Sequence, residues 1–381
     1  MKMNEYFLTC PRGLEEVTSA DIAQYLESSP IVDKGGVSFK GNEKDMYTIN
    51  LYSRTGMHLL KKIHFFNSSG YENLYKSIFK MPWSKIVGKD KTFSIRSKIK
   101  SDIFCHSNFT TLKIKDAIVD SIKKDLGSRP SIDRYNPDIK IFAIINNNSI
   151  KIYMDSSGRP LFMRGYRTKI HKAALNESMA AGLVLLSNWD RKSAFYDIMC
   201  GSGTIPIEAC LIANNIPPRI LRDDYAFHKW DNFDESLWNI LKEKSIKGIN
   251  MNKNLVIYGS DLVKKNLELC IESLSKLKLD DKIIFKWMDF NNFEPLEKNG
   301  VIIVNPPYGE RIGEQFNLEE VYKLLGDKFK KNCSGHDVYV FTGNASLAKK
   351  IGLRTKRRII LKNGTIDCRL LYYPMREGSF K

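Results

Sequence analysis

The alternation of apolar and polar residues divides the first part of the chain into short strands and helices. In residues 92–98, apolar Phe93 and Ile95 alternate with polar side chains, and this period of two predicts a half-buried strand. The same criteria predict helices over residues 14–26 and 110–126 and strands at 139–145 and 149–154. We therefore expect small mixed α/β units in this region.

From about residue 176 the pattern changes to buried apolar strands that alternate with helices. Helices are expected over residues 176–189 and 262–274, and a terminal hairpin is expected around Asn363-Gly364 after a strand at 338–341. Four apolar runs lead directly into polar residues at Asp197, Asp261, Asp289 and Asn305. This order predicts an α/β fold with a Rossmann-like sheet. The hairpin would complete seven strands, with the last one antiparallel.

The stretch Asn305-Pro306-Pro307-Tyr308 follows the apolar run 301–304. The Asn305 side-chain oxygen and the Pro306 carbonyl can each accept one N–H of a planar exocyclic amine, while Tyr308 stacks on the attached ring. Pro306 and Pro307 keep this backbone rigid, because their φ angles are fixed and each preceding residue is held extended. Asn-Pro and Pro-Pro also occur in ordinary turns, so the tetrad alone leaves both interpretations open.

A glycine turn lies between the strand that ends at Asp197 and an apolar helix. Glycines let a cofactor approach the backbone, and the helix N-terminus offers free N–H groups. Position 206 is Pro instead of the third glycine of a dinucleotide fingerprint, and no P-loop Lys follows. The acidic Asp197 suits a cationic amino group better than a pyrophosphate. The cofactor contacts expected here are Asp197, Cys200, Gly201, Ser202, Gly203 and Thr204.

The next two strand ends extend the same expected site. An acid at the tip of the second strand, here Asp261, usually binds a ribose hydroxyl. At the third strand, Asp289 and Phe290 can read the edge of an adenine. With the amine-gripping Asn305 at the fourth strand, the set predicts methyl transfer from S-adenosylmethionine to an amino nitrogen.

Several segments resemble the THUMP-domain family of RNA methyltransferases, in particular the bacterial group similar to the large-subunit ribosomal RNA guanine-N2 methyltransferase. The resemblance covers nearly the whole chain. The segments that carry it are residues 9–16, 164–167, 174–177, 197–204, 226–230 and 305–311. The Gly309-Glu310-Arg311 that follows the tetrad makes the last of these the most specific.

The resemblance implies N2 of a guanine in large-subunit ribosomal RNA as the methylated atom, with Glu177 approaching the methionine part of the cofactor. Helix capping explains the Asn176-Glu177 pair nearly as well. Three alternatives stay open: guanine-N2 methylation of transfer RNA, adenine-N6 methylation, and an inactive RNA-binding ribosome-assembly protein. The implied domains are an N-terminal ferredoxin-like part (1–45), a THUMP domain (46–158), a linker (159–175) and a class I methyltransferase domain (176–381).

The charge distribution favours a nucleic-acid partner. Lys and Arg number 60 against 43 Asp and Glu, giving a net charge of +17. Residues 46–172 contain 24 basic and 9 acidic residues, so one part of the chain holds nearly the whole surplus. A phosphate-binding module concentrates charge in this way, whereas a generally basic chain would spread it. The RNA contacts expected here are Arg96, Lys98, Lys100, Lys113, Lys115, Lys123, Lys124, Arg164 and Arg167.

Cysteine and histidine spacing argues against a catalytic metal. The seven cysteines form no C-x-x-C pair, and the six histidines form no H-x-x-H or H-E-x-x-H array. An odd number of cysteines without paired spacing indicates reduced thiols and a cytoplasmic protein. No apolar run reaches the roughly 18 residues of a membrane span, and the first residues begin no signal peptide. Oligomeric state cannot be read from these patterns.

Overall fold

The computed structural model describes residues 3–167, 175–252, 254–308 and 317–376. Within them, the first part of the chain forms one seven-stranded sheet. Its strands are β1 (Asn4–Thr9), β2 (Ile31–Asp33), β3 (Gly36–Gly41), β4 (His58–Asn67), β5 (Phe93–Lys100), β6 (Ile139–Asn146) and β7 (Ser149–Asp155). Its helices are α1 (Glu15–Ala23), α2 (Glu43–Tyr52), α3 (Tyr71–Phe79), α4 (Trp83–Val87) and α5 (Ser107–Leu126).

Strand β4 joins two units that the sequence separates. The spatial order is β2-β3-β1-β4-β7-β6-β5, with β4 antiparallel to both β1 and β7. Residue 45, where the first part was expected to end, lies within α2, and the next strand, β4, pairs with β1. The apolar residues on one face of β6 and β7 share a core with α5. We call this whole unit the N-terminal module.

The second sheet also has seven strands. They are β8 (Ala194–Asp197), β9 (Ile257–Asp261), β10 (Ile284–Trp287), β11 (Gly300–Val304), β12 (His336–Thr342), β13 (Arg357–Asn363) and β14 (Ile366–Pro374). Its helices are α6 (Glu177–Leu186), α7 (Thr204–Ala213), α8 (Glu235–Lys247), α9 (Lys264–Leu277), α10 (Leu318–Asn332) and α11 (Ala345–Lys350).

The topology of this sheet confirms the expected Rossmann-like methyltransferase fold. The order is β10-β9-β8-β11-β12-β14-β13. β10, β9, β8, β11 and β12 are parallel, whereas β14 pairs antiparallel with both β12 and β13. Gly364 adopts a positive φ of 61°, which the tight turn of the terminal hairpin requires. Among the described residues, no helix combines the length and apolarity that a membrane crossing needs.

The segment between α7 and β9 attaches the methyltransferase domain to the N-terminal module. The sequence leaves two uses open for its aromatic residues, holding an extruded base or covering the cofactor. Instead, Phe227 packs with its ring centroid 4.7 Å from that of Tyr47 on α2 and 5.2 Å from that of Trp238 on α8. All three are buried in the core of the N-terminal module. Their role in this structure is domain docking.

Two arginines of the same segment are buried at this interface. Arg219 donates hydrogen bonds to the carbonyls of Ile49, Asn50 and Ser53, which end helix α2. The last carbonyls of a helix lack partners within it and carry partial negative charge, so a cation is favourable there. Arg222 donates to the carbonyls of residues 157, 159, 160 and 224. These bonds fix the segment to the module without any RNA.

Replacing Phe227 with Ala should lower the free energy of unfolding by about 3–5 kcal/mol, because a fully buried aromatic ring is lost and the interface cannot collapse around it. Urea unfolding curves measure this change. Ile246→Ala is the matched control, since Ile246 is exposed on α8, and its effect should stay within about 0.5 kcal/mol. Equal, small effects of both substitutions would contradict the docking role.

Candidate active site

Four strand ends meet at one edge of the second sheet. β8 lies between β9 and β11, with Asp197 opposite Gly259 and Tyr196 opposite Ile302. β10 pairs with the outer side of β9. Because these strands are parallel, their carboxyl ends share the edge where ligands of open α/β sheets bind. The polar residues at or just after these ends are Asp197, Asp261, Asp289 and Asn305.

Asp197 is a carboxylate in a desolvated position. It is 1% exposed, and its Oδ1 accepts a hydrogen bond from the Met199 N–H at 3.2 Å. Burial, with a smaller contribution from the negative Asp261, raises the pKa of Asp197 well above its ordinary value. Among the described residues no cation forms an ion pair with it. A ligand bearing a cationic amine would therefore relieve an unfavourable charge.

The glycine turn has one open and one crowded glycine. A Cβ at Gly201 would meet nothing within 4 Å, and its φ of 53° favours glycine. At Gly203, with φ of 75°, a Cβ would lie 2.8 Å from the Cys270 sulfur. Gly201 thus leaves room for a ligand, whereas Gly203 allows α9 to approach. The Cys200 thiol is buried toward the Gly201 carbonyl, and Ser202 is half-buried.

Asp261 holds the tip of β9 against the glycine turn. Its Oδ2 accepts the Gly201 N–H at 2.8 Å, and its Oδ1 accepts bonds from the Val263 N–H and the Asn266 side chain, each at 2.9 Å. A carboxylate has about four acceptor positions, so capacity remains for a ribose hydroxyl. Sequence reasoning missed Asn266, which helps to hold the Asp261 carboxylate in place.

Asp289 and Phe290 follow β10 at the same edge. The Asp289 side chain accepts the Asn291 N–H at 2.8 Å and caps a short 3-10 helix, Phe290–Asn292. Phe290 is partly buried against the apolar cluster beneath the sheet. The Met288 N–H donates to the Asp261 carbonyl at 3.2 Å, which ties this loop to β9. The pair therefore lies beside Asp261, as an adenine subsite would require.

The tetrad leaves β11 next to the glycine turn. The Asn305 side-chain oxygen is buried and accepts no hydrogen bond from the described residues. Such an orphaned acceptor is costly, which makes it a candidate for binding a donor on a ligand. Pro306 is buried and Pro307 half-buried. Gly309, Glu310 and Arg311, which extended the motif, lie outside the described residues, as does the linker Lys169.

Tyr308 is held by the end of the second sheet. Its hydroxyl accepts a hydrogen bond from the Asn363 side chain at 3.4 Å, and its ring meets that of Phe341 edge-on at 6.5 Å between centroids. A Cβ at Gly343 would lie 2.8 Å from the Tyr308 ring, so glycine allows the ring to rest on the backbone there. Burial raises the pKa of Tyr308 to about 12, which keeps the phenol neutral.

Arg167, a predicted RNA contact, is engaged within the protein. Its side chain is 8% exposed, with Nε 3.4 Å from Glu177 and further hydrogen bonds to the Leu175 carbonyl and the Thr204 hydroxyl. Thr204 is the first residue of α7, so the arginine connects the starts of α6 and α7. Burial raises the pKa of Glu177, and Arg167 opposes that rise. The carboxylate expected near the cofactor methionine is thus engaged by Arg167.

The predicted RNA contact at Arg164 is wrong, because that residue is 1% exposed. Its side chain is fully buried, 3.3 Å from the Glu208 carboxylate of α7, and it donates to the Leu161 and Arg54 carbonyls. The Tyr166 hydroxyl donates to the same carboxylate at 3.1 Å. Sequence reasoning missed Glu208, although an acid within an otherwise apolar helix was a signal for a buried ion pair. The linker therefore fixes helix α7 to the N-terminal module.

The remaining predicted RNA contacts lie on two elements of the N-terminal module. Arg96, Lys98 and Lys100 are exposed on one face of the edge strand β5. The others are on α5, where Lys113 and Lys115 are half-buried and Lys123 and Lys124 are exposed. Among the described residues, no group of His, Cys, Asp and Glu could hold a metal ion.

The fold and this strand-end site define a Rossmann-like methyltransferase attached to a separate N-terminal module. A model of the RMKL-like methyltransferase domain matches residues 164–372, that of the THUMP domain matches 69–155, and that of the RlmL ferredoxin-like domain matches 5–60. The chain belongs to the RMKL-like methyltransferase family. This result confirms the resemblance noted in the sequence.

Individual proteins support the assignment. The Synechocystis protein slr0064, which carries the provisional name of an RNA methyltransferase, is 34% identical over 97% of this chain and 96% of its own length. Ribosomal RNA large subunit methyltransferase K/L of Psychromonas ingrahamii is 34% identical over 97% of this chain and 50% of its own length, so the chain spans about half of that relative. The methyltransferase structure SMU.472, complexed with SAH, is 27% identical, with a TM-score of 0.88 over 99% of both chains.

Replacing Asp197 with Asn should stabilise the ligand-free protein at pH 8. The pKa of Asp197 is higher in the folded state than the unfolded value of about 3.9. The stability of the wild-type protein therefore falls as pH rises from the unfolded pKa to the folded pKa, and the loss is complete above the folded pKa. Asn carries no such penalty. Urea unfolding at pH 5 and pH 8 should give a larger advantage for the variant at pH 8.

Asp190→Asn is the control with the opposite sign. Burial would raise the pKa of Asp190, but the N–H groups of Lys192 and Ser193 and the Ser193 hydroxyl outweigh it and lower the pKa. Its carboxylate thus contributes stability that is present above the unfolded pKa, so Asn should destabilise the protein at pH 8. A loss of stability in Asp197→Asn at pH 8 would contradict the electrostatic account of the site.

Proposed function

We propose that this protein methylates an exocyclic amino group of an RNA base with S-adenosylmethionine, and that the base is a guanine of large-subunit ribosomal RNA methylated at N2. The observation that carries the proposal is the buried Asn305 oxygen at the end of β11, which accepts no hydrogen bond from the described part of the chain. β11 lies directly beside β8, which carries the glycine turn. An amine acceptor next to a cofactor turn is the arrangement that transfer to an amino nitrogen needs.

The described residues fit the cofactor at each of its parts. The open space at Gly201 admits it, and the buried Asp197 would bind its cationic amine. Asp261 retains acceptor capacity for the ribose, and Asp289 with Phe290 would border the adenine. The relative complexed with SAH, the demethylated form of this cofactor, supports the fit. When bound, S-adenosylmethionine supplies a methyl group made electrophilic by its sulfonium sulfur.

The tetrad would prepare the nucleophile. Asn305 Oδ1 and the Pro306 carbonyl each accept one amine N–H, which turns the nitrogen lone pair out of conjugation with the ring. Tyr308, with its hydroxyl held by Asn363, would stack on the base. Pro306 and Pro307 keep the two acceptors aligned, so catalysis comes chiefly from positioning and from electrostatic stabilisation. After methyl transfer the surplus amine proton passes to water.

The choice of guanine and of ribosomal RNA rests on similarity. The K/L relatives are named ribosomal RNA large subunit methyltransferases, and the chain aligns with about half of their length. The THUMP match and the basic residues of the N-terminal module support an RNA substrate. The two acceptors of the tetrad, Asn305 Oδ1 and the Pro306 carbonyl, could bind the N6 amino group of adenine equally well. Adenine and transfer-RNA guanine are therefore the alternative targets.

Asn305→Ala should reduce kcat for methyl transfer by at least about 100-fold, because one of the two amine acceptors is lost. The affinity for SAH should stay unchanged, since the side chain contacts the amine and not the cofactor. Single-turnover transfer of labelled methyl groups and calorimetric titration with SAH measure the two quantities. Asn332→Ala, on α10, is the matched control and should keep wild-type activity. Wild-type turnover in Asn305→Ala would contradict the proposed role of Asn305 as an acceptor for the substrate amine.

The substrate can be identified with isolated RNA. We expect the purified protein, given labelled S-adenosylmethionine, to label unmodified large-subunit ribosomal RNA rather than transfer RNA. Nucleosides from the product, separated by chromatography and mass spectrometry, should contain N2-methylguanosine. N6-methyladenosine, or labelling of transfer RNA alone, would replace the proposed target by one of the alternatives. No label in any RNA would overturn the proposed activity.

A further inference from the structure

One face of the sheet in the N-terminal module is packed against helices, and the other presents strand side chains. Ile141, Ala143 and Ile152 point to the first face and belong to the large core that includes α5. On the opposite face, the apolar cluster of described residues consists of strand residues alone: Phe7, Leu60 and Tyr153, with Phe142 and Ile144 packed against them. We call this second side the strand face.

Strand pairing arranges the side chains of the strand face in rows across β4, β7, β6 and β5. One row is Phe65, Lys151, Ile144 and Lys98. The next row is Lys62, Tyr153, Phe142 and Arg96. The third is Asn67, Ser149, Asn146 and Lys100. Every row ends with a basic residue on the edge strand β5, and the first two rows contain an aromatic ring.

The charge of these four strands is strongly one-sided on the strand face. Alternation along the strands places one carboxylate there, Asp155, and it is paired with His58 at 2.9 Å. Lys62 is ion-paired with Glu5 of β1, so part of its charge is balanced. The basic side chains on this part of the face are Lys62, Arg96, Lys98, Lys100, Lys140 and Lys151.

We propose that the strand face binds an unpaired segment of the RNA substrate, with bases stacked on Phe65 and Phe142 and phosphates on Arg96, Lys98 and Lys100. The proposal rests on the proposed RNA methyltransferase function and adds the form of RNA that the module recognises. A sheet presents its side chains on a flat surface, where bases can lie on aromatic rings. Phe65 is 49% exposed, and the Lys62 Nζ lies 6.0 Å from its ring centroid, so a cation already borders this ring.

An unpaired strand fits this face better than a duplex. Bases within an A-form helix are stacked on one another and cannot reach the rings, so a duplex would use the charges alone. Base stacking on aromatic rings also tolerates any sequence, because every base has a π face. The alternation of rings and cations across the rows provides both kinds of contact at neighbouring positions.

Three of the four lysines of α5 are engaged within the module. Lys113 Nζ lies 5.1 Å from the ring centroid of Tyr75, and Lys124 Nζ lies 5.5 Å from that of Phe79. Lys115 is 2.9 Å from the Asp116 carboxylate. These cations already contact rings on α3 or a carboxylate on α5. We therefore assign the RNA contacts of the module to β5 and its neighbours, and not to α5.

The test measures, by fluorescence anisotropy, the binding of the full chain to a labelled, unstructured oligoribonucleotide of about 10 nucleotides. Phe65→Ala should weaken this binding roughly tenfold, from the loss of one stacked base. Phe142→Leu keeps an apolar side chain in the strand cluster, so it tests stacking with little risk to folding, and it should weaken binding similarly. Phe109→Ala is the matched control, because Phe109 is 50% exposed but lies on α5; it should leave the affinity unchanged.

Salt dependence separates the two sets of lysines. Lys98→Gln should lower the slope of log affinity against log salt by about 0.7, the value for one phosphate contact on a single strand. Lys124→Gln, on α5, should leave the slope unchanged. Equal effects of Phe65→Ala and Phe109→Ala, or equal affinity of the wild-type protein for a duplex of the same length, would overturn the proposal.

Parallel methylation assays keep this proposal distinct from the proposed function. In one outcome, the wild-type protein methylates RNA, but Phe65→Ala and Phe142→Leu bind the oligonucleotide as the wild type does. This result would refute RNA binding by the strand face and would still support the proposed activity. Oligonucleotide binding that depends on both rings, without any methyl transfer to RNA, would support the strand face and refute the activity.

Discussion

The parallel pairing of β8 with β9 on one side and β11 on the other is the constraint on which the candidate site depends. It brings Asp197, Asp261 and Asn305 to one edge of the sheet, although more than 100 residues separate the first from the last. The strands are buried and strongly apolar, so their register is fixed by the core. The site then carries two local costs: a desolvated carboxylate at Asp197, and an Asn305 oxygen without a hydrogen-bond donor among the residues that the structure describes. A functional site can retain such costs when the fold around it is stable.

A second set of interactions joins the methyltransferase domain to the N-terminal module. Arg219 donates hydrogen bonds to the last carbonyls of α2, and Arg164 is paired with Glu208 on α7. Losing one partner of a buried ion pair or cap leaves the other unpaired, which costs far more than the pair contributes. The module and the catalytic domain are thus held in one arrangement. An RNA bound to the module would meet the strand-end site at a set distance and not through a loose tether.

The accuracy of the sequence predictions followed the range of the interactions involved. The second-half strands, the terminal hairpin around Gly364 and the helix that ends at Leu126 were predicted within a few residues, because local apolar periodicity and turn residues determine them. The interpretation failed at Arg164, whose side chain is fully buried. A basic residue in a linker has the same sequence signature whether it faces RNA or a buried carboxylate. The aromatic segment around Phe227 was ambiguous for the same reason, since its partner Tyr47 lies far away in the chain.

The sequence by itself determined the fold class, the position of the Asn305–Tyr308 tetrad after an apolar strand, the glycine turn and the concentration of positive charge in one part of the chain. These features are encoded by residue type and by spacing over a few positions. Only the tertiary structure decided which charges are solvated and which are buried, that the first two units share one sheet through β4, and that the basic residues of β5 align with Phe65 and Phe142. Burial and cross-strand register are properties of pairs of distant segments, and no local pattern in a single sequence specifies them.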